Sequence, residues 1–188
     1  MNRRAIAWTA ATVVGLAAGG FALHFPGSYG ESSWSLVAGL FGVILGFANG
    51  ALLGALQWVA LRADRALGVR LVVAMGLAVG ITHGLHDGSS TAAPYVVVAL
   101  ACGAAMAAIF RGLLGERDRL RLAVVGLGWA AGLVVALYGV ARLGLPWSET
   151  PLGWGTAHAA QGIFVGVVWG VATTWVGADP GARGTRSA

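Results

Sequence analysis

The chain has 188 residues, 57% of them hydrophobic and only 10% charged, against about 25% charged in a soluble domain. Most of its surface is therefore matched to something other than water, and the length leaves room for one compact unit without a separate soluble domain. The net charge of +5 is spread over short segments, not gathered into a nucleic-acid-binding run. The single cysteine, Cys102, excludes an internal disulfide and dithiol redox chemistry.

Six apolar stretches follow one another along the chain. Asn2-Arg3-Arg4 opens a run that extends to Leu23. That run is longer than a signal-peptide core of about 7–15 residues, so the sequence predicts a retained first helix over 5–24. Further helices are predicted over 35–61, 70–86, 94–112, 121–141 and 154–176. Each reaches or approaches the roughly 20 residues that span about 30 Å of hydrocarbon. The fold class is therefore all-α: an integral membrane bundle of six transmembrane helices. The tail, 177–188, is polar and Gly-rich and reads as a disordered cytoplasmic segment.

The arginines orient the bundle. There are twelve, with no lysine, and eleven fall on the side where the chain starts: Arg3, Arg4, Arg62, Arg65, Arg70, Arg111, Arg117, Arg119, Arg121, Arg183 and Arg186. Only Arg142 falls opposite. Against Asp64, Glu116, Asp118 and Asp179 the first side keeps +7; the second, with Glu31, Asp87 and Glu149, has −2. Positive charge stays inside, so both termini are expected in the cytoplasm of a bacterium and the protein in its cytoplasmic membrane. Anionic lipid headgroups are the partners such a face attracts; no nucleic acid is expected. Trp8, Trp58 and Trp175 mark the inner boundary, and Trp34, Trp147 and Trp154 the outer one, as amphipathic rings do at membrane interfaces. Trp129 and Trp169 lie deeper, between helices.

Thirty-one glycines need a reason, since glycine destabilises a helix by about 1 kcal/mol relative to alanine in water. In lipid, small residues four apart let two helix backbones approach. Gly42, Gly46, Gly50 and Gly54 form such a face on the second helix, and Gly162, Gly166 and Gly170 on the sixth. These faces hold the bundle together or meet another membrane subunit. Asn49-Gly50, Cys102-Gly103 and Gln161-Gly162 recur at hairpin spacing, which suggests three repeated helical hairpins.

Buried polar candidates are few: Thr12, Asn49, Gln57, Thr82, Gln161, Thr173 and Thr174. No charged residue falls near a predicted midplane, which argues against a proton-coupled pump or ion exchanger. Asn49 and Gln161 are expected to hydrogen-bond across the centre. Four histidines, His24, His83, His86 and His158, fall on the outer side, with Asp87 beside His86. His83 and His86 share a helix face. Imidazoles with a carboxylate form a common zinc or iron set, and paired imidazoles hold haem. The same residues are also at home as ordinary interfacial side chains, and no cofactor is expected on spacing alone.

One string is distinctive. Gly50-Ala-Leu-Leu-Gly54-Ala-Leu-Gln57-Trp58-Val-Ala-Leu61-Arg62 resembles a G-x-x-x-G-x-x-Q-W-x-x-L-R signature of small uncharacterised bacterial multi-pass membrane proteins. The resemblance covers one helix end and implies a membrane location. In size and topology the chain is also similar to the substrate-binding membrane subunits of energy-coupling-factor vitamin transporters. Ala7-x-x-x-Ala11 is similar to the small-residue contact those subunits use for their partner.

Three functional expectations follow. The first is a non-enzymatic accessory or scaffold subunit acting through helix packing. The second is a small-solute binding or transport component with a polar-lined outward cavity, Asn49 or Gln161 near its floor. The third is a metal- or haem-binding protein in which His24, His83, His86 and His158 converge.

Overall fold

The computed structural model describes residues 3–24, 36–88, 95–144 and 150–176. They form six α-helices and, among the described residues, no strand: α1 (Arg3–His24), α2 (Leu36–Leu61), α3 (Arg65–Gly88), α4 (Tyr95–Gly112), α5 (Arg119–Arg142) and α6 (Pro151–Trp175). Five of them, α1 to α5, are long and apolar enough to cross a membrane. The sixth has 25 residues, about 37 Å at 1.5 Å per residue. Its length suffices, but Thr156, His158, Gln161, Thr173 and Thr174 dilute its apolar character. The expected tail lies outside the described residues.

Local chemistry sets the helix ends. α3 starts at Arg65, five residues before the expected position, because Asp64 caps it. The Asp64 carboxylate accepts from the Leu67 N–H at 2.9 Å, satisfying an orphan donor of the first turn. Asp118 does the same for α5, accepting from the Leu120 and Arg121 N–H groups. Thr150 caps α6, with Pro151 supplying the preset φ of the first turn.

The α2–α3 turn is unusually tight. Arg62 adopts φ +49°; its N–H donates to Val59 O, and the Ala63 N–H donates to Trp58 O. This is a Schellman closure with arginine where glycine is usual. The Trp58 indole N–H then donates to Ala63 O at 2.9 Å, and its ring lies over Gly68.

The helices pack as a closed antiparallel ring in chain order, α6 returning to α1. Five of the six seams contain a glycine set against its partner's backbone. A Cβ on Gly15 of α1 would come within 2.9 Å of the Leu53 Cα of α2. Gly46, Gly50 and Gly54 meet α3 at Val79, Met75 and Leu71. Gly103 of α4 faces Gly126 of α5, and Gly132 of α5 faces Val165 of α6. Gly162, Gly166 and Gly170 lie on α1 at Leu16, Val13 and Thr9. The α3–α4 seam is the loosest.

Outside the ring, large apolar side chains stand exposed along the helices, among them Ile44, Val59, Leu127 and Val171. Hydrocarbon is the solvent that suits such a surface. Trp8, placed at the interface from its sequence position, is instead fully buried. It sits on the inward face of α1, where its N–H finds a partner on α6.

Gly50→Ala is expected to destabilise the protein by about 3 kcal/mol or more, because the new methyl overlaps the Met75 carbonyl. Gly112→Ala, with open space around it, should be neutral or stabilising by up to about 1 kcal/mol. Thermal unfolding of both variants in detergent checks the contrast.

Candidate functional site

Two layers occupy the inside of the ring. The layer toward the arginine-rich end is aromatic. Trp169 of α6 is its centre, with ring centroids 5.8 Å from Trp8, 5.7 Å from Phe110 and 5.3 Å from Trp129. The last two contacts are edge-to-face, the geometry ring quadrupoles favour. All four rings are buried.

Each indole N–H in this layer has an acceptor. Trp8 donates to Thr173 Oγ1 at 3.0 Å, Trp129 to Thr82 Oγ1 at 3.1 Å, and Trp169 to Val125 O at 3.1 Å. Both threonine hydroxyls in turn donate four residues back, Thr173 to Trp169 O and Thr82 to Ala78 O. Gln57 Nε2 donates to Thr12 Oγ1 at 3.0 Å, and Thr12 donates to Trp8 O at 2.8 Å. The result is a chain of bonds from α2 through α1 to α6.

The second layer, toward the histidine end, is a cavity of about 70 Å³. A single water needs about 10–15 Å³, so several fit, or part of a small molecule. All six helices contribute. Leu16 and Gly20 come from α1, Asn49 from α2, and Val79, Thr82 and His83 from α3. Tyr95, Val98, Ala99 and Cys102 come from α4, and Trp129 and Leu133 from α5. α6 adds His158, Gln161, Gly162 and Val165. Trp129 belongs to both layers and forms the deep end. Among the described residues, no Asp, Glu or Arg lines the cavity.

The polar groups on this wall differ in how far they are satisfied. Tyr95 donates to Leu133 O at 3.3 Å and pairs with the Gln161 side chain. His83 Nδ1 lies 3.0 Å from Val79 O; a carbonyl only accepts, so Nδ1 carries a proton. Asn49 is the exception. It is 3% exposed, and its Oδ1 is fully enclosed without a hydrogen-bond partner, against Gly19 of α1. A half-turn of the carboxamide exchanges oxygen and nitrogen, so Asn49 offers the cavity either an acceptor or a donor. The expected Asn49–Gln161 bond is absent: Asn49 Oδ1 has no partner and Gln161 meets Tyr95 instead, while both residues line the cavity.

His83 and His158 reach the same cavity from α3 and α6. The side chains of His24, His86 and Asp87 lie outside the described residues. Among the described residues, no three of His, Cys, Asp and Glu gather as a metal-binding group. Gln57 is not at this site: it is fully buried and binds Thr12, with its Oε1 unpartnered.

The sequence reading missed the tryptophan–threonine layer. A signal for it exists: Trp8-x-x-x-Thr12 and Trp169-x-x-x-Thr173 share one spacing, which sets each hydroxyl over the tryptophan carbonyl one turn earlier. The distinctive string of α2 also resolves into structural roles. Gly50 and Gly54 admit α3, Gln57 holds α1, Trp58 seals the turn and Arg62 makes it. No protein-family model, curated protein or solved structure matches the chain.

Trp129→Phe should cost about 1 kcal/mol, the net worth of its hydrogen bond to Thr82. Trp129→Ala should cost about 3–5 kcal/mol, because it opens the floor as well. Denaturation midpoints of the two variants measure the difference.

Proposed function

We propose that this chain is an integral protein of the bacterial cytoplasmic membrane that binds a small uncharged solute within its helix ring. It acts as a binding or transport component and not as an enzyme. All six helices cross the bilayer, with the arginine-rich end in the cytoplasm, as positive charge dictates. α6 crosses despite its polar residues because α1 and α5 pack against it, and His158 and Gln161 turn toward the cavity.

The observation that carries the reading is Asn49. A carboxamide with a buried, unpartnered Oδ1 destabilises the folded protein by about 1–3 kcal/mol. A solute that hydrogen-bonds the carboxamide offsets that loss. Stability is commonly given up where a site must recognise something. The uncharged nature of the solute rests on the lining: among the described residues the wall holds no carboxylate or guanidinium, and an ion without counter-charge loses several kcal/mol of hydration. The mixture of aliphatic and aromatic walls with a few convergent polar groups is how small-molecule sites are built.

The scaffold reading has less support, because the glycine faces of α2 and α6 are occupied by α3 and α1. The metal or haem reading keeps His83 and His158 on one wall.

Thermal shift in nanodiscs tests the proposal. Neutral probes, benzyl alcohol and benzamide, are compared with benzoate and benzylammonium. At ten times its dissociation constant, a neutral probe stabilises by about 1.4 kcal/mol, about 3 °C for a chain of this size. Asn49→Leu should abolish the shift while leaving the unliganded protein as stable as before or more so. Equal responses of wild type and variant across all four probes would overturn the reading.

A further inference from the structure

We propose that the cavity is loaded sideways from the hydrocarbon phase, between α3 and α4, and that its ligand is an uncharged amphiphile. Its hydrogen-bonding head meets Asn49, and its apolar tail lies in the seam. This rests on the reading of the cavity as a binding site and adds to it a route and a ligand class.

Two independent observations single out the seam. It is the loosest of the six. It is also the one seam where, among the described residues, no glycine brings the two backbones together; the other five each have at least one. Glycine contacts lock helices because backbone meets backbone with no side chain to move aside. Where they are missing, separation requires only side-chain rearrangement.

The seam leads straight into the cavity. Thr82 of α3 and Cys102 of α4 meet across the seam, and both line the cavity, with Val79 and His83 on α3 and Val98 and Ala99 on α4. Ala99 and Cys102 are small, so little bulk stands between the lipid side and the interior.

Thr82 bridges the two sides. Its hydroxyl receives the Trp129 N–H from α5 at 3.1 Å, and its carbonyl receives the Cys102 thiol from α4 at 3.9 Å. A thiol is a weak donor, so the Trp129 bond is the stronger of the two. Opening at Thr82 parts α3 from α4 and α5 while the glycine-locked seams stay shut.

The route also constrains the ligand. Passage through hydrocarbon favours an uncharged molecule, matching a cavity wall on which no Asp, Glu or Arg lies among the described residues. The cavity, about 70 Å³, suits a compact polar head. A longer apolar tail has hydrocarbon available to it in the seam.

Cys102, the only cysteine, is a native reporter on the cavity wall. The full-length protein in liposomes is treated with N-phenylmaleimide or with its sulfonated, membrane-impermeant analogue, and the rates are compared with those in denaturant. The expected result is labelling by the apolar reagent at least about tenfold faster than by the charged one. Thr82→Val should accelerate the apolar reaction about fivefold, and Thr174→Val, which removes a hydroxyl bonded only within α6, should not.

Equal or faster reaction of the sulfonated reagent would overturn the lateral route and leave the binding site standing. No reaction of either reagent before denaturation would overturn both, because the cavity would then be closed to small molecules. An unchanged rate in a folded Thr82→Val protein would overturn the assignment to this seam. Should that variant not fold, 1-octanol in the bilayer serves on wild type. It should slow labelling at least threefold while ethylene glycol does not, and equal effects of the two would overturn the amphiphile.

Discussion

Backbone-to-backbone contact through glycine is the constraint on which this molecule depends. Water drives apolar helices together, but hydrocarbon does not, because lipid tails are as apolar as leucine. Association must come from close fit. Gly46, Gly50 and Gly54 on α2 and Gly162, Gly166 and Gly170 on α6 provide it, each against the main chain of a neighbour. Helices that approach so closely form narrow seams and leave the space inside the ring to be filled by other means. At the arginine-rich end it is filled by Trp8, Phe110, Trp129 and Trp169. At the other end it is left partly open.

Polar groups inside the ring follow the same economy of contact. The hydroxyls of Thr12, Thr82 and Thr173 each bond back to a carbonyl on their own helix while accepting from a side chain on another. One hydroxyl thereby serves two helices and is itself fully satisfied. Three buried polar atoms lack a partner, Thr9 Oγ1, Gln57 Oε1 and Asn49 Oδ1, and of these residues Asn49 is the one on the cavity wall. The functional reading grows from this contrast more than from any single residue type.

The number and class of the helices can be read from composition, because bilayer thickness sets their length and backbone hydrogen bonding in lipid leaves little besides helix. The start of α3 is less legible. Arg65 looks like a loop residue until Asp64 is seen to cap the helix, which lets charged residues extend a span past the apolar run. α6 falls short as an apolar span for the reason that makes it interesting: His158 and Gln161 face the interior. Trp8 shows the limit of depth as a guide, since position along a helix fixes height but not which way the side chain turns. Ring closure by α1 and α6 joins the two ends of the sequence, and periodicity within one helix carries no information about its partner. Glycine spacing marks a close-packing face, and the partner again comes only from three dimensions.

The α2–α3 turn has a mechanical consequence. Arg62 closes it, the Trp58 indole pins it, and three glycines run down the length of the pair. Two helices fastened at one end and along their sides behave as a single rigid arm. Any outward swing of α3 therefore carries α2 with it, and because Gly15 and Gly19 close the α1–α2 seam the displacement opens the α3–α4 side. Asn49 rides on that arm opposite Gly19, so the same swing would change the cavity side of a carboxamide whose Oδ1 has no partner.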